Sequence, residues 1–408
     1  MSNKKKLTTW LIDQGLSAKA YNSNEMISSF LSEMELGLFE KQSSLAMLPT
    51  YISPKKNEND TKIAFIDAGG TNLRTGLAFL KSDGTISLDL VKKQKMPGRK
   101  SQISSNEFYD NIALSLKPFS HSFTKIGFCF SYPTEILPNK DGRLLHWTKE
   151  IKIPDMEGKC IGLNLAERLK FNGLKKKSIT LLNDTTATLL AGCSASKFTD
   201  NDLFIGFILG TGVNCAFTYK NEIINMESGN FSKWNYSNVD NILDSYQMEQ
   251  GSYRFEKAIS GAYLGSLALV ALKEILTLNL FSPDGSKIID AWDSIDTEQL
   301  SNYLAGIDKN NWNLSNYDGE LLKEVFKSIV DRAAFFSAIN IASAIIYNKP
   351  DNKKNIVNFD GSTLHRTPHL AAKTEEYLSS ILKIYDYKFK VITVSDSPAI
   401  GAALAAIS

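Results

Sequence analysis

The apolar positions of the first sixty residues repeat with the period of a helix. One apolar face is formed by Met26, Ile27, Phe30, Leu31 and Met34. The polar stretch Pro54–Lys62 ends this helical region. We therefore expect residues 1–60 to form helices that pack on a larger domain.

The period then changes to that of strands. The segment KIAFIDAGGTNLRTGLAFL, starting at Lys62, predicts a strand, a tight Gly-Gly turn and a second strand, and Ile86–Val91 predicts a third. A similar unit, DLFIGFILGTGVNCAFTYKNEII, starts at Asp202 and has a Gly-Thr-Gly turn in the corresponding place. Two such units predict two α/β lobes with a cleft between them.

Strands and helices alternate through the rest of the chain, which is typical of an α/β fold. The predicted strands are Ile126–Phe130, Ser178–Leu182, Ile356–Phe359 and Phe389–Val394, and the predicted helices are Arg254–Leu280, Gly319–Tyr347, Pro368–Tyr385 and a short one from Pro398. We expect residues 61–182 to form a small domain to which residues 396–408 return, and residues 183–395 to form a large domain.

The composition is that of a folded globular chain, with 43% hydrophobic and 22% charged residues among 408. The 46 basic and 44 acidic residues are scattered, so we expect no nucleic-acid partner. The most apolar segment, Ala262–Phe281, is interrupted by Lys273 and Glu274, so we expect no membrane span there. Four dispersed cysteines and the absence of a signal-like start predict a cytoplasmic protein, and nothing in the pattern marks an interface between copies.

Two glycine-containing turns are candidates for holding phosphate groups. In the first, Gly69 and Gly70 let backbone N–H groups approach a phosphate, Thr71 and Arg74 add a hydroxyl and a cation, and Asp67 could hold Mg²⁺ through water. The second turn is Gly210-Thr211-Gly212. Each turn alone is also compatible with an ordinary hairpin. Facing each other, they would grip a polyphosphate without a Walker-type loop, which this sequence lacks.

Asp184 follows a predicted buried strand and opens a helix. It could be the N-cap of that helix, or a general base that takes a proton from a substrate hydroxyl in phosphoryl transfer. Further polar residues follow predicted strands or open helices: Ser131, Thr148, Lys149, Glu227 and Glu256. Taken separately, each fits a surface or capping role better, but together they suit the hydroxyls of a sugar. His365 and His369 have metal-ligand spacing, but Pro368 breaks the helix between them, so we predict no metal site there.

Taken in order from Ile63 to Leu404, these segments resemble the hexokinase family, the glucokinase-like sugar kinases of the actin-like ATPase superfamily. The resemblance is carried by FIDAGGTNLR, FSYP, LHWTKE, LLNDTTATLLAG, ILGTGVNCAF, INMESG, FEKAISGAYLG and FDGSTLHRTPHL. It implies a two-lobed, ribonuclease H-like α/β fold with a cleft between the lobes. The implied activity is ATP- and Mg²⁺-dependent phosphorylation of glucose, and of related hexoses such as mannose or fructose, at the 6-hydroxyl.

The resemblance also implies roles for particular residues. Asp184 would be the general base, and Lys149 would be catalytic with it. The hexose contacts would be Ser131, Thr148, Lys149, Asn183, Asp184, Asn214, Glu227 and Glu256. The nucleotide contacts would be Asp67, Gly69, Gly70, Thr71, Asn72, Arg74, Gly210, Thr211, Gly212, Gly361 and Ser362, with Asp67 also near Mg²⁺.

The chain departs from the family pattern at three places. Glu150 replaces the glycine after Trp-Thr-Lys, Ser228-Gly229 replaces a Trp-Gly pair, and Asp396–Leu404 reads DSPAIGAAL where the family is near Asp-Gly-Ser-Gly-x-Gly-Ala-Ala-Leu. The last change leaves open an alternative function, a sugar-sensing or interaction protein of the same fold with weak or no catalysis. A bacterial repressor–kinase relative is a further alternative, but that group carries a cysteine-rich zinc loop, and the four dispersed cysteines offer none.

Overall fold

The N-terminal helices are present in the structure, a computed structural model that describes residues 2–40, 42–55, 59–148, 151–195, 202–307, 312–349 and 354–408. Helix α1 spans Asn3–Asp13, helix α2 spans Ser23–Phe39, and a short strand, β1, covers Leu48–Pro49. The side chain of Asn22 caps α2 by accepting the backbone N–H groups of Asn24 and Glu25. The predicted apolar face of α2 is confirmed, with four of its five residues buried and Leu31 half-buried.

A five-stranded sheet follows. Its region contains β2 (Thr61–Ala68), β3 (Asn72–Leu80), β4 (Ile86–Lys95), α3 (Ser105–Leu116), β5 (Lys125–Phe130), β6 (Thr134–Ile136), β7 (Gly142–Leu144), α4 (Ile161–Phe171) and β8 (Ser178–Leu182). The strand order is β4-β3-β2-β5-β8, while β6 and β7 pair separately. Because β2, β5 and β8 are parallel, their carboxyl ends lie at one edge of the sheet, where ligands bind in open α/β sheets.

The remaining elements surround a six-stranded sheet with the order β1-β11-β10-β9-β12-β13. They are α5 (Asp184–Ala195), β9 (Leu203–Leu209), β10 (Val213–Tyr219), β11 (Glu222–Asn225), α6 (Asn238–Ser245), α7 (Arg254–Ile259), α8 (Leu264–Leu276), α9 (Pro283–Asp290), α10 (Thr297–Ala305), α11 (Asn316–Tyr347), β12 (Asn355–Asp360), α12 (Ser362–Arg366), α13 (Leu370–Lys383), β13 (Phe389–Ile392) and α14 (Ser397–Ala405). Strands β9, β12 and β13 are parallel, so β9 and β12 also end at one edge.

Helices α5 and α14 share a buried apolar cluster with residues of both sheets. Helix α14 lies so close to β5 that a Cβ added to Gly127 would be 1.7 Å from the Ala402 carbonyl oxygen. Gly401 also lies close to α5, where a Cβ would be 2.1 Å from the Ala187 carbonyl oxygen. The final helix therefore packs against the five-stranded sheet. The domain boundaries given above stay predictions.

The single helix predicted over Arg254–Leu280 is wrong. The chain leaves the helix at Ser260 and starts α8 at Leu264. The helix is interrupted because two backbone N–H groups bond to the second glycine turn instead of to the preceding helical turn. Gly261 N–H donates to the Gly210 carbonyl (2.8 Å) and Ala262 N–H donates to the Thr211 carbonyl (3.0 Å). The break in the helix therefore serves the second glycine turn.

Helix α11 is long and apolar enough to cross a membrane, the one such helix found among the described residues. However, 94% of its most apolar window is buried inside the protein. A buried core helix passes the same test of length and composition. The helix is therefore weak evidence for a membrane span.

Candidate active site

The first glycine turn lies between β2 and β3. Asp67 is buried near the end of β2, and one of its carboxylate oxygens accepts a hydrogen bond from Arg74 Nε at 2.8 Å. Arg74 also pairs with Asp396 at the start of α14. A Cβ added to Gly69 would have its nearest neighbour, the Asn72 carbonyl oxygen, at 3.7 Å. Nothing inside the protein therefore requires a glycine at position 69, which fits a turn left open for a ligand.

Burial raises the pKa of Asp67, and the negative charges of Asp184 and Asp396 raise it further. Arg74 opposes this by stabilising the carboxylate, but burial outweighs the ion pair. The turn therefore holds more negative charge than Arg74 neutralises. Such a site favours either a bound cation or protonation of the Asp67 carboxyl group.

The second glycine turn connects β9 to β10. A Cβ added to Gly212 would lie 2.4 Å from Glu256 Oε2, so a larger residue here would displace the Glu256 carboxylate. The hydroxyl of Thr363 donates to the Gly210 carbonyl at 2.8 Å, which ties the turn to α12. Gly361 precedes that helix with a φ of 108°, a backbone conformation that favours glycine. The exposed side chains of Thr211 and Ser362 lie at this edge of the six-stranded sheet.

At the start of α5, Asn183 and not Asp184 is the N-cap. Asn183 Oδ1 accepts the N–H of Thr186 at 2.9 Å, which satisfies one of the free donors at the helix end. The capping alternative considered for Asp184 is therefore wrong. Asp184 is the first residue of the helix and is half-buried.

Asn214 and Glu227 belong to one hydrogen-bond network. Asn214 Nδ2 donates to Asn225 Oδ1 at 2.8 Å and to Glu227 Oε1 at 3.3 Å, and Asn225 Nδ2 donates to the same Glu227 oxygen at 2.5 Å. Glu227 itself has left-handed backbone angles, φ 55° and ψ 47°. Glu256, on α7, accepts the N–H of Val213 at 3.0 Å. These contacts bring all three predicted sugar residues to one end of β10.

Three further predicted sugar residues belong to the region of the five-stranded sheet. Ser131 follows β5, and its N–H donates to the Ala68 carbonyl at 3.1 Å, beside Asp67. Thr148 is half-buried and follows Trp147. Lys149, predicted to be catalytic, lies outside the described residues.

The negative charge of Asp184 acts on three other carboxyl groups of this arrangement. Its negative charge raises the pKa of Asp67, of Glu227 and of Asp360, although burial is the largest cause at each of the three. These three carboxylates come from the first turn, the end of β11 and the end of β12. One predicted phosphate-side carboxylate, Asp67, and one predicted sugar-side carboxylate, Glu227, therefore lie within electrostatic range of Asp184.

Two residues of the site were missed in the sequence. Asp360 ends β12, and its oxygens accept the Gly361 N–H at 2.6 Å and the Thr188 hydroxyl at 3.3 Å. The signal was available, because an aspartate between an apolar strand and a glycine is also the pattern at Asp67. Asn225 was missed as well, although a buried asparagine in a strand calls for a hydrogen-bond partner.

Comparisons with known proteins identify the family of the chain. Two family models, both described as hexokinase, match residues 11–194 and 204–408. Hexokinase-2 of Schizosaccharomyces pombe is 29% identical over 94% of this chain and 92% of its own length, and hexokinase-2 of Saccharomyces cerevisiae is 28% identical over 92% and 87%.

Solved structures share the fold. A hexokinase from Schistosoma mansoni complexed with glucose has a TM-score of 0.79 at 22% identity and covers 100% of both chains. A ROK hexokinase from Thermus thermophilus has a TM-score of 0.53 at 16% identity over 85% of this chain and 98% of its own. The chain belongs to the hexokinase family and is a sugar kinase with the two-lobed α/β fold of the actin-like ATPases.

Proposed function

We propose that this chain transfers the γ-phosphoryl group of ATP to the 6-hydroxyl of glucose, and of related hexoses such as mannose and fructose. The observation that carries the proposal is the position of Asp184 at the start of α5, not used as the helix cap and within electrostatic range of Asp67 on the proposed phosphate side and Glu227 on the proposed sugar side. A base in that position would lie between a sugar on one side and the phosphates of a nucleotide on the other.

In the proposed mechanism Asp184 accepts the proton of the 6-hydroxyl. The oxygen then attacks the γ-phosphorus, so that the O6–P bond forms, the bond from phosphorus to the β-phosphate oxygen breaks, and ADP leaves. Asp184 is available for this because Asn183 carries the capping hydrogen bond of α5. Placing the base at the first turn of a rigid helix fixes its geometry.

The sugar would be held by acceptors whose own orientation is fixed. Glu227 receives two amide N–H donors, and Glu256 receives the Val213 N–H. Each glutamate has a second oxygen or further lone pairs for sugar hydroxyls. We propose that Ser131, Thr148, Lys149, Asn183 and Asn214 complete the hexose contacts.

The two glycine turns would hold the phosphates, with Arg74 as a cation and Thr71 and Thr211 as hydroxyl donors. No group of three or more metal-binding side chains comes together in the part of the chain that the structure describes. The residues still fit Mg²⁺, which binds proteins through one or two carboxylates, water and substrate phosphates. Asp67 would hold it through water, and Mg²⁺ would neutralise charge on the phosphates. Gly361 and Ser362 would lie near the adenosine.

We further propose that the domains are residues 61–182 with 396–408, and 183–395 with the N-terminal helices, and that sugar binding closes one lobe on the other. Closure would exclude water, which would otherwise compete with the sugar as acceptor. None of the four cysteines, all of which the structure describes, forms a disulfide, which supports a reducing, cytoplasmic setting.

ADP release with Mg·ATP tests the activity, comparing glucose, mannose, fructose, N-acetylglucosamine and no sugar. We expect rapid glucose-dependent release, reduced by about 10²-fold or more in Asp184→Asn because the base is lost. Asp83→Asn, in the exposed turn between β3 and β4, is the control and should behave like the unaltered chain. Retained turnover in Asp184→Asn would contradict the assignment of the base.

The alternative is a sugar-binding protein of this fold with weak catalysis. It is supported by the altered segment at the start of α14, where Ser397 is buried and its hydroxyl donates to the Val394 carbonyl at 2.7 Å. Glucose binding by calorimetry without ADP release, from ATP or from another phosphoryl donor, would favour this alternative.

A further inference from the structure

Tyr132 makes a contact on each side of the site. It is 4% exposed, and its hydroxyl donates to the Gly69 carbonyl of the first glycine turn at 2.9 Å. Its ring packs edge-on against the ring of Trp147, with centroids 4.8 Å apart. Trp147 immediately precedes Thr148 and Lys149. One side chain therefore touches both the phosphate turn and the segment proposed to bind sugar.

The hydrogen bond acts on a peptide that is otherwise easy to turn. A peptide unit is planar and trans, so the Gly69 carbonyl and the Gly70 N–H point in opposite directions. Both flanking residues are glycines, which rotate with little steric cost. Holding the Gly69 carbonyl through Tyr132 therefore fixes the direction of the Gly70 N–H. Burial raises the pKa of Tyr132, so its hydroxyl stays a donor.

Trp147 is itself held from several sides. Its indole N–H donates to the Ile153 carbonyl at 2.7 Å, and its backbone N–H donates to Glu157 at 2.9 Å. The Phe130 ring also lies against it, at 5.7 Å between centroids. Because Trp147 is packed directly on the Tyr132 ring, a displacement of Trp147 on sugar binding would displace that ring as well.

We propose that Tyr132 is a positioning residue that orients the Gly70 N–H toward the nucleotide phosphates and couples sugar binding to nucleotide binding within one lobe. The proposal rests on the proposed function, since it requires the first turn to bind phosphate and the Trp147 segment to bind sugar. It is separate from lobe closure, because every contact in it lies within residues 69–157.

The test is calorimetric binding of a non-hydrolysable ATP analogue with Mg²⁺, with and without glucose. Tyr132→Phe keeps the ring and removes the hydroxyl. We expect about three- to tenfold weaker nucleotide binding, the range for one lost hydrogen bond, and a smaller enhancement of that binding by glucose. Glucose affinity without nucleotide should stay within about twofold, and KM for ATP should change more than kcat.

Tyr109→Phe is the matched control. Tyr109 is buried in the same apolar cluster, with its ring against Phe108. Equal losses in the two variants would mean that Tyr132 has only a structural role, and would overturn the inference. Nucleotide affinity and coupling like those of the unaltered chain in Tyr132→Phe would also overturn it.

Trp147→Phe provides a second route if Tyr132→Phe does not fold. We expect it to reduce the coupling while leaving nucleotide affinity without sugar unchanged, and intact coupling would contradict the inference. The two proposals fail differently. Absence of sugar-dependent ADP release by the unaltered chain overturns the proposed function and this inference with it, whereas the variant results above overturn the inference alone.

Discussion

Glu227, a proposed sugar contact, is held in an unusual backbone conformation by its neighbours. Its backbone has left-handed angles, which cost a non-glycine residue about 1–3 kcal/mol. The surrounding network offsets this cost, since Asn214 binds the Glu227 carboxylate through Nδ2 and the Ser228 N–H through Oδ1. Strain held by such a network is typical of functional positions.

A pH dependence of sugar binding follows from Glu227. Burial and the charge of Asp184 raise its pKa above the ordinary value, so it takes up a proton at a higher pH than a free glutamate as the pH falls. The protonated form is a poorer acceptor for sugar hydroxyls. We expect the dissociation constant for glucose to rise with falling pH, beginning above the ordinary glutamate range, in calorimetric titrations.

Glu227→Gln is the control for that titration, because it keeps the shape and removes the proton equilibrium. We expect weak glucose binding that lacks this part of the pH dependence. An unchanged profile in Glu227→Gln would show that another group titrates. Circular dichroism at each pH separates loss of binding from loss of fold.

For single residues, the sequence indicated which side chains are candidates for the site better than it indicated which residues those side chains contact. Asp184 was found from its position after a strand, but its capping alternative was rejected only when Asn183 was seen to bond Thr186. The aspartate–glycine pattern at Asp360 was overlooked, and the closeness of Asp360 to Asp184 is evident only from the packing of α5 against β12. Contacts between distant segments are set by tertiary packing.

Among the elements, α14 has the least tolerant packing. The Ala402 carbonyl occupies the place where a Cβ at position 127 would lie. The obstacle is backbone in a helix that is itself fixed against α5, so it has little room to move.

We expect Gly127→Ala to lower the free energy of unfolding by about 3 kcal/mol or more through overpacking. Denaturant unfolding measures this. The control is Gly158→Asn, at an exposed turn with a φ of 75° and no atom within 4 Å of an added Cβ, where asparagine is tolerated. A loss below about 1 kcal/mol in Gly127→Ala would show that α14 can shift, since such overpacking typically costs 1–3 kcal/mol.

Element types were predictable where apolar runs were long, as for β8, whose bounds Ser178–Leu182 match the prediction. The prediction was wrong at α7 and α8. Residues 254–280 have a helical pattern throughout, and the break arises because Gly261 and Ala262 give their N–H groups to the second turn. A hydrogen bond to a segment about fifty residues away does not change the periodicity of apolar residues, so the sequence pattern did not reveal the break.

The charge of the whole molecule is nearly balanced at +2, but it is unevenly distributed. Residues 92–100 contain five exposed cations: Lys92, Lys93, Lys95, Arg99 and Lys100. Cross-strand pairing places Lys93 opposite Arg74 and Lys95 opposite Asn72, on the same face of the sheet. A positive strip therefore borders the first glycine turn.

We expect Lys93→Gln with Lys95→Gln to weaken nucleotide binding about threefold at low ionic strength, and less at physiological salt, because exposed charges are screened. Calorimetry at two salt concentrations measures this. The control is Lys175→Gln with Lys176→Gln, which replaces two exposed lysines before β8 at the opposite edge of the sheet. This control should leave nucleotide affinity unchanged at both salt concentrations. Equal effects of the two pairs would point to net charge alone.

The packing of α14 also has a consequence for the order of events during synthesis. Residues 397–405 cover a sheet whose last strand ends at Leu182, so the sheet remains without its covering helix while the intervening chain is made. At about 5–20 residues per second this delay is on the order of ten to forty seconds. The apolar faces of β2 and β5 are exposed throughout that interval. We therefore expect the nascent chain to bind chaperones through this apolar surface until α14 has been made.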